Sequence, residues 1–288
     1  MAETACHVAR YALQFGFVRQ LMERFIVIPV EHVAEATQLP ITWWSLVAAA
    51  FSGGLVVKIL DYVVSWLTHL AKERKDAKSL VDKHLDPLLK SADAICGKTL
   101  SLAERDFSSP HGTIEEELVA LTYLYAAFWS RLVILDRESL GVSLSGDKRG
   151  KKVVAFRACL ESQRIRLVDK THQIAIGEIA TEMERVPLRT RTIVDFTRRV
   201  EQDDYLAAWL ITLRAKLDKI KIKKTRQRLL VYGVILHAMI DTLDNKHTST
   251  HARTPHPNKL SDASKRTVKH LVFARYLKGT GAINRYTA

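Results

Sequence analysis

Glycine and proline are scarce in this sequence, at 12 and 7 among 288 residues. That scarcity argues against a sandwich or barrel, which depends on many tight turns. No alternating run of β-branched residues is long enough to make a strand. Cysteine is scarcer still. Cys6, Cys96 and Cys159 form an odd, widely spaced set, which reads as reduced thiols and excludes a disulfide framework or a CxxC zinc site. Signature motifs are missing as well: there is no Walker loop, GxGxxG, HExxH or GxSxG elbow. Acidic charge is in deficit, with 31 Asp plus Glu against 44 Lys plus Arg and a formal charge of +13. Such an excess favours an anionic partner, either nucleic acid or an acidic lipid surface, unless it is simply a solvated basic face.

What is abundant is helical pattern. Between Glu35 and Lys58 the chain carries no charge, an interval close to the roughly 20 residues that cross a bilayer. The segment 41–67 is therefore expected to be a transmembrane helix, the alternative being a core helix of a soluble bundle. Trp43 and Trp44 stand near one end and Trp66 near the other, about 34 Å apart along a helix. Gly53 and Gly54, each four residues after an alanine, offer a close-packing face for a second helix. Lys58 and Asp61 are three apart and can pair, with Lys58 reaching toward the interface. Lys72, Arg74, Lys75 and Lys78 follow, so the positive-inside rule places the C-terminal part in the cytoplasm. Residues 1–40 read as an amphipathic segment lying on the membrane or packed on a neighbour.

The rest is expected to be an all-α cytoplasmic bundle over 68–245. Pro87 should open a new helical segment or kink a long one. Thr113 and Glu116 have capping-box spacing and open a central helix rich in Tyr123, Tyr125, Phe128 and Trp129. A loop is expected at 139–152. Helices follow over 151–185, over 188–221 with a break at Asp203–Asp204, and over 225–245. The apolar run 229–240 is too short to span a membrane and reads as core, with His237 a hydrogen-bonded core histidine. Residues 246–259 read as linker, and 246–288 as a basic tail with a short helix opening at Ser261.

Four segments carry a resemblance: DKHLDPLLKSADAICGKTLSL at 82–102, YLYAAFWSRLVILDRE at 123–138, QIAIGE at 173–178 and LVYGVILHAMIDTLDN at 230–245. In this order they resemble a family of membrane-anchored all-helical proteins with no established activity. The family has a basic residue before Asp-Pro where this chain has Leu85. The resemblance implies architecture and anchoring and brings no catalytic residue.

Candidate chemistry is sparse. Arg166 and His172 have the Arg-x(4–6)-His spacing of HEPN ribonucleases, where Arg would hold phosphate and His would move a proton. The competing reading is a surface Arg and His beside a helix break. His247, His251 and His256 could supply zinc ligands only if the segment were rigid, and its Ser, Thr and Pro content opposes that, so no metal site and no cofactor is expected. Glu178 is expected to pair with an arginine. The densest basic run, 214–228, offers Lys216, Lys219, Lys221, Lys223, Lys224, Arg226 and Arg228 to an anion such as phosphate of nucleic acid or lipid. The function expected is that of a non-enzymatic, membrane-anchored helical protein acting by self-association or partner binding, for example a membrane effector in antiviral defence. The alternatives are a membrane-tethered HEPN-like ribonuclease and a soluble, basic nucleic-acid-binding protein.

Overall fold

The computed structural model describes residues 56–107, 113–255, 259–278 and 283–287. Residues 1–40, Trp43, Trp44, Gly53, Gly54, His256 and most of the 41–67 span lie outside the described residues. Two compact units divide the chain, Met1–Ser65 and Trp66–Ala288. Among the described residues the chain is all-α, with nine α-helices and one two-stranded sheet.

Helix α1, Val56–Glu104, contains Pro87 in its interior: of the two expectations, a new segment or a kink in a long helix, the first is not met. The ring removes one backbone hydrogen bond. Burial of Leu85, Leu88, Leu89 and Ala92 on the same turns holds the helix through the defect. Helix α2, Ile114–Glu138, starts as expected: Thr113 Oγ1 accepts from Glu116 N at 3.1 Å, and Glu116 Oε2 accepts from Thr113 N at 2.8 Å. Glu115, Glu116 and Glu117 also sit where the helix dipole favours negative charge.

α2 is the centre of the bundle. Tyr125, Phe128 and Trp129 are buried, and Trp129 Nε1 donates to Tyr232 Oη at 3.2 Å. Its length and composition would allow it to cross a membrane, yet 61% of its apolar window is buried in the bundle. Core packing accounts for that apolar character.

The expected loop at 139–152 holds a short 3-10 turn, Leu144–Gly146, and the start of α3, Lys148–Leu160. The helical stretch expected over 151–185 holds two helices, α3 and α4 (Lys170–Ile179), with a break between them around Arg166 and a short strand after them. The strands β1 (Thr181–Glu182) and β2 (Arg189–Thr190) pair antiparallel, which the lack of a long alternating run had argued against. Ser130 of α2 anchors both, at 2.8 Å from Thr181 Oγ1 and 3.0 Å from Thr190 Oγ1. Polar contacts to α2 thus stabilise a ladder too short to stand on β propensity. The break at Asp203–Asp204 is present: α5 (Ile193–Gln202) ends there, and Asp203 caps α6 (Asp204–Asp218). After a 3-10 turn at Lys219–Lys221, α7 (Lys223–Leu243) buries the 229–240 run.

Residues 246–255, expected to be linker, are tied down. Asp244 accepts from the backbone N–H groups of Thr248, Ser249 and Thr250 at 2.9, 3.0 and 3.1 Å, and from two of their hydroxyls. Asp93 of α1 then accepts from Arg253 Nε at 2.8 Å and lies 2.6 Å from His251 Nδ1. The C-terminal segments α8 (Asp262–Thr267), a π-helical stretch Val268–Tyr276 and α9 (Ile283–Thr287) send Val268, Val272, Phe273 and Tyr286 into the common core. Composition suggested a tail; paired carboxylates and buried apolar groups make the described residues 246–255, 259–278 and 283–287 part of the bundle.

Candidate anion-binding groove

The basic run 214–228 does not present its seven candidate residues alike. Lys216, half-buried, gives its ammonium to the Leu167 carbonyl. Its pKa is lowered by loss of water and then by the positive charge of Arg228. Arg226 lies over the Phe107 ring, 5.8 Å from its centroid, and so serves packing. Lys219 and Lys221 are exposed on the 3-10 turn. Lys223, Lys224 and Arg228, by contrast, line one open groove of about 480 Å³.

Two further segments complete its walls. Arg164, from the loop after α3, adds a fourth cation, while Ser261, Ser264 and Thr267 come from α8 and the residue before it. Gln227 fixes this arrangement. Its Nε2 donates to the Lys259 carbonyl at 2.9 Å and its Oε1 accepts from Ser261 N at 2.7 Å. The side chain therefore locks the entry to α8 against α7. No carboxylate lines the groove, and none of the four cations makes an ion pair among the described residues. Arg164 and the hydroxyls were missed by sequence reasoning because they are distant in the chain; only the capping position of Ser261 was legible.

A larger groove, about 1110 Å³, lies between α1 and residues 143–151. Its cations are mixed with Glu73, Asp82 and Asp147, and Arg149 pairs with both aspartates. Acids thus offset part of the charge in that groove, whereas none lines the α7 groove.

The other candidates are placed as follows. Arg166 pairs with Asp169, while the His172 ring packs edge-on against Trp209 at 5.4 Å with its Nδ1 buried and unpartnered. Both are thus engaged with groups other than each other. His247 and His251 go to different carboxylates, Asp241 at 3.5 Å and Asp93 at 2.6 Å. His237 is buried, its Nε2 3.1 Å from the Arg253 carbonyl and its Nδ1 3.3 Å from Asp241 but outside hydrogen-bond geometry. Glu178 pairs with Arg137 at 2.7 Å. Cys96 and Cys159 are buried free thiols, and burial pushes the Cys159 pKa up to about 12, far from nucleophilic use.

Of the residues assigned to the span, Lys58, Asp61 and Trp66 are described and exposed, and no ion pair joins Lys58 to Asp61. Around them Ile59, Leu60, Tyr62, Val63, Val64 and Leu67 are also exposed, by 41% to 74%. At 100° per residue these apolar positions and Trp66 sweep an arc of about 200°, while Lys58, Asp61, Ser65 and Thr68 form a narrow polar stripe.

No family model matches the chain, and neither a curated protein nor a solved structure is significantly similar to it. The resemblance to membrane-anchored helical proteins therefore rests on the quoted segments alone.

Proposed function

We propose that this chain is a non-enzymatic, membrane-anchored helical protein, with 41–67 crossing the bilayer and the bundle on the cytoplasmic side. The observation that carries this reading is the exposure of seven large apolar side chains between Ile59 and Leu67. Exposing that much contiguous apolar surface to water is costly, at about 1.5–3 kcal/mol for each side chain that burial would otherwise stabilise. Lipid removes the cost. The exposed Lys72, Arg74, Lys75 and Lys78 that follow on α1 suit an anionic inner-leaflet surface. The polar stripe at Lys58 and Asp61 has no place facing lipid. It supports self-association, in which the stripe of one copy meets that of another.

Sedimentation of cell membranes after alkaline carbonate extraction tests the anchoring. The chain should stay in the pellet, and full release into the supernatant would remove the reading. Should it stay, chemical crosslinking in the membrane should trap a dimer or larger species that Asp61→Leu together with Lys58→Leu alters.

A further inference from the structure

The groove beside α7 gathers like charges that no carboxylate among the described residues pairs with. Arg164, Lys223, Lys224 and Arg228 surround about 480 Å³ of open space with no carboxylate among the lining residues. Mutual repulsion makes such an arrangement unfavourable until a counter-charge enters. The start of α7 adds to the field, because Ile222 offers no capping side chain and the first turn carries no acid. Hydroxyl donors are at hand too. Ser264 Oγ accepts from Ser261 Oγ at 3.1 Å, which leaves the Ser264 proton uncommitted.

We propose that this groove binds a small ligand carrying two or more phosphate groups on a polyol, the chemistry shared by soluble inositol polyphosphates and the headgroups of phosphorylated inositol lipids. Three features select that class. The volume is within the range of small-ligand sites, about 300–1,000 Å³. Two arginines supply planar forks and two lysines point charges, a set suited to several phosphates close together. The remaining lining residues are Ile165, Gln227, Val231, Ala263 and the three hydroxyl residues, with no aromatic ring on which a base could stack. Single-stranded nucleic acid and nucleotides depend on such stacking, so the groove suits phosphates without a base. The inference is independent of membrane residence, since a soluble bundle would carry the same groove.

The test is titration calorimetry of the full-length chain in detergent with inositol hexakisphosphate, with ATP and with a single-stranded RNA oligonucleotide. Arg164→Gln plus Lys224→Gln is compared with Lys148→Gln plus Lys151→Gln in the α1 groove, whose lining includes three acids. All four side chains are exposed, and the thermal midpoint reports whether each variant is folded. Inositol hexakisphosphate should bind in a salt-sensitive way and weaken by about tenfold or more in the first pair, with no change in the second. Absence of binding at millimolar ligand, equal weakening in both pairs, or tighter binding of RNA or ATP would each overturn the proposal. Flotation with vesicles that contain or lack a phosphorylated inositol lipid then distinguishes the sources. Headgroup-dependent recruitment lost in R164Q/K224Q assigns the lipid, whereas binding of the soluble compound alone assigns a free polyphosphate.

Discussion

Gly177 offers the sharpest test of how the bundle is held. It lies in α4, within the QIAIGE segment, where that helix crosses α2. A Cβ added there would stand 2.8 Å from the Trp129 carbonyl oxygen and 2.9 Å from Val133 Cγ2. Two effects oppose each other in Gly177→Ala. Helix propensity favours alanine by about 0.8–1 kcal/mol. The clash costs about 1–3 kcal/mol, and it falls at the upper end because the oxygen belongs to helix backbone and cannot swing away. The net expectation is destabilisation by roughly 1–2 kcal/mol. At about 2–4 °C per kcal/mol, the thermal midpoint should fall by roughly 3–6 °C. Gly233→Ala is the control, since its nearest neighbour is a side-chain methyl, Thr99 Cγ2, at 3.2 Å. A methyl can yield by rotation where a carbonyl cannot, so this variant should cost less than Gly177→Ala. Circular dichroism melts of both variants decide the matter. An unchanged or raised midpoint for Gly177→Ala would refute the close α2–α4 contact.

Three other expectations concern the polar contacts. Asp93→Ala removes the partner of Arg253 and His251; with His251 largely exposed, the loss should be about 2 kcal/mol, seen as faster amide exchange over 246–255. Loss of water pushes the Asp244 pKa up, but the N–H groups of Ser249 and Thr248 and the Thr250 hydroxyl pull it down further, to about 2. Because the folded value lies below the usual 3.8, this stabilisation is complete above about pH 4 and is lost as pH falls toward 2. Amide exchange at Thr248–Thr250 should accelerate across that window, and Asp244→Asn should remove the dependence. The engagement of Arg166 with Asp169 and of His172 with Trp209 predicts that the purified chain leaves RNA uncut. Cleavage abolished by both Arg166→Ala and His172→Ala would restore the ribonuclease reading.

How far the sequence revealed this protein depended on the range of the interaction involved. Local signals were read well. The Thr113–Glu116 capping box and the break at Asp203–Asp204 arise from side chains acting on backbone two or three residues away, so a single sequence contains the whole cause. The 229–240 run could only be core, because it was apolar and too short for a bilayer. Pro87 left a new segment and a kinked long helix both open for the opposite reason. Its local cost is real, but Leu85, Leu88 and Leu89 are buried by contacts from distant segments that no window of residues displays. The same holds for residues 246–255, whose Ser, Thr and Pro content signals mobility while Asp93, more than 150 positions earlier, ties Arg253 in place. The candidate site divides along the same line. The cations of 214–228 were visible as composition, yet composition cannot say that Arg226 is taken up by Phe107 and Lys216 by a carbonyl. Nor could it say that Arg164 joins Lys223, Lys224 and Arg228 where acids are absent. Charge density along a chain measures supply; only the fold determines which charges are left for a partner, and the α7 groove is where that remainder is concentrated.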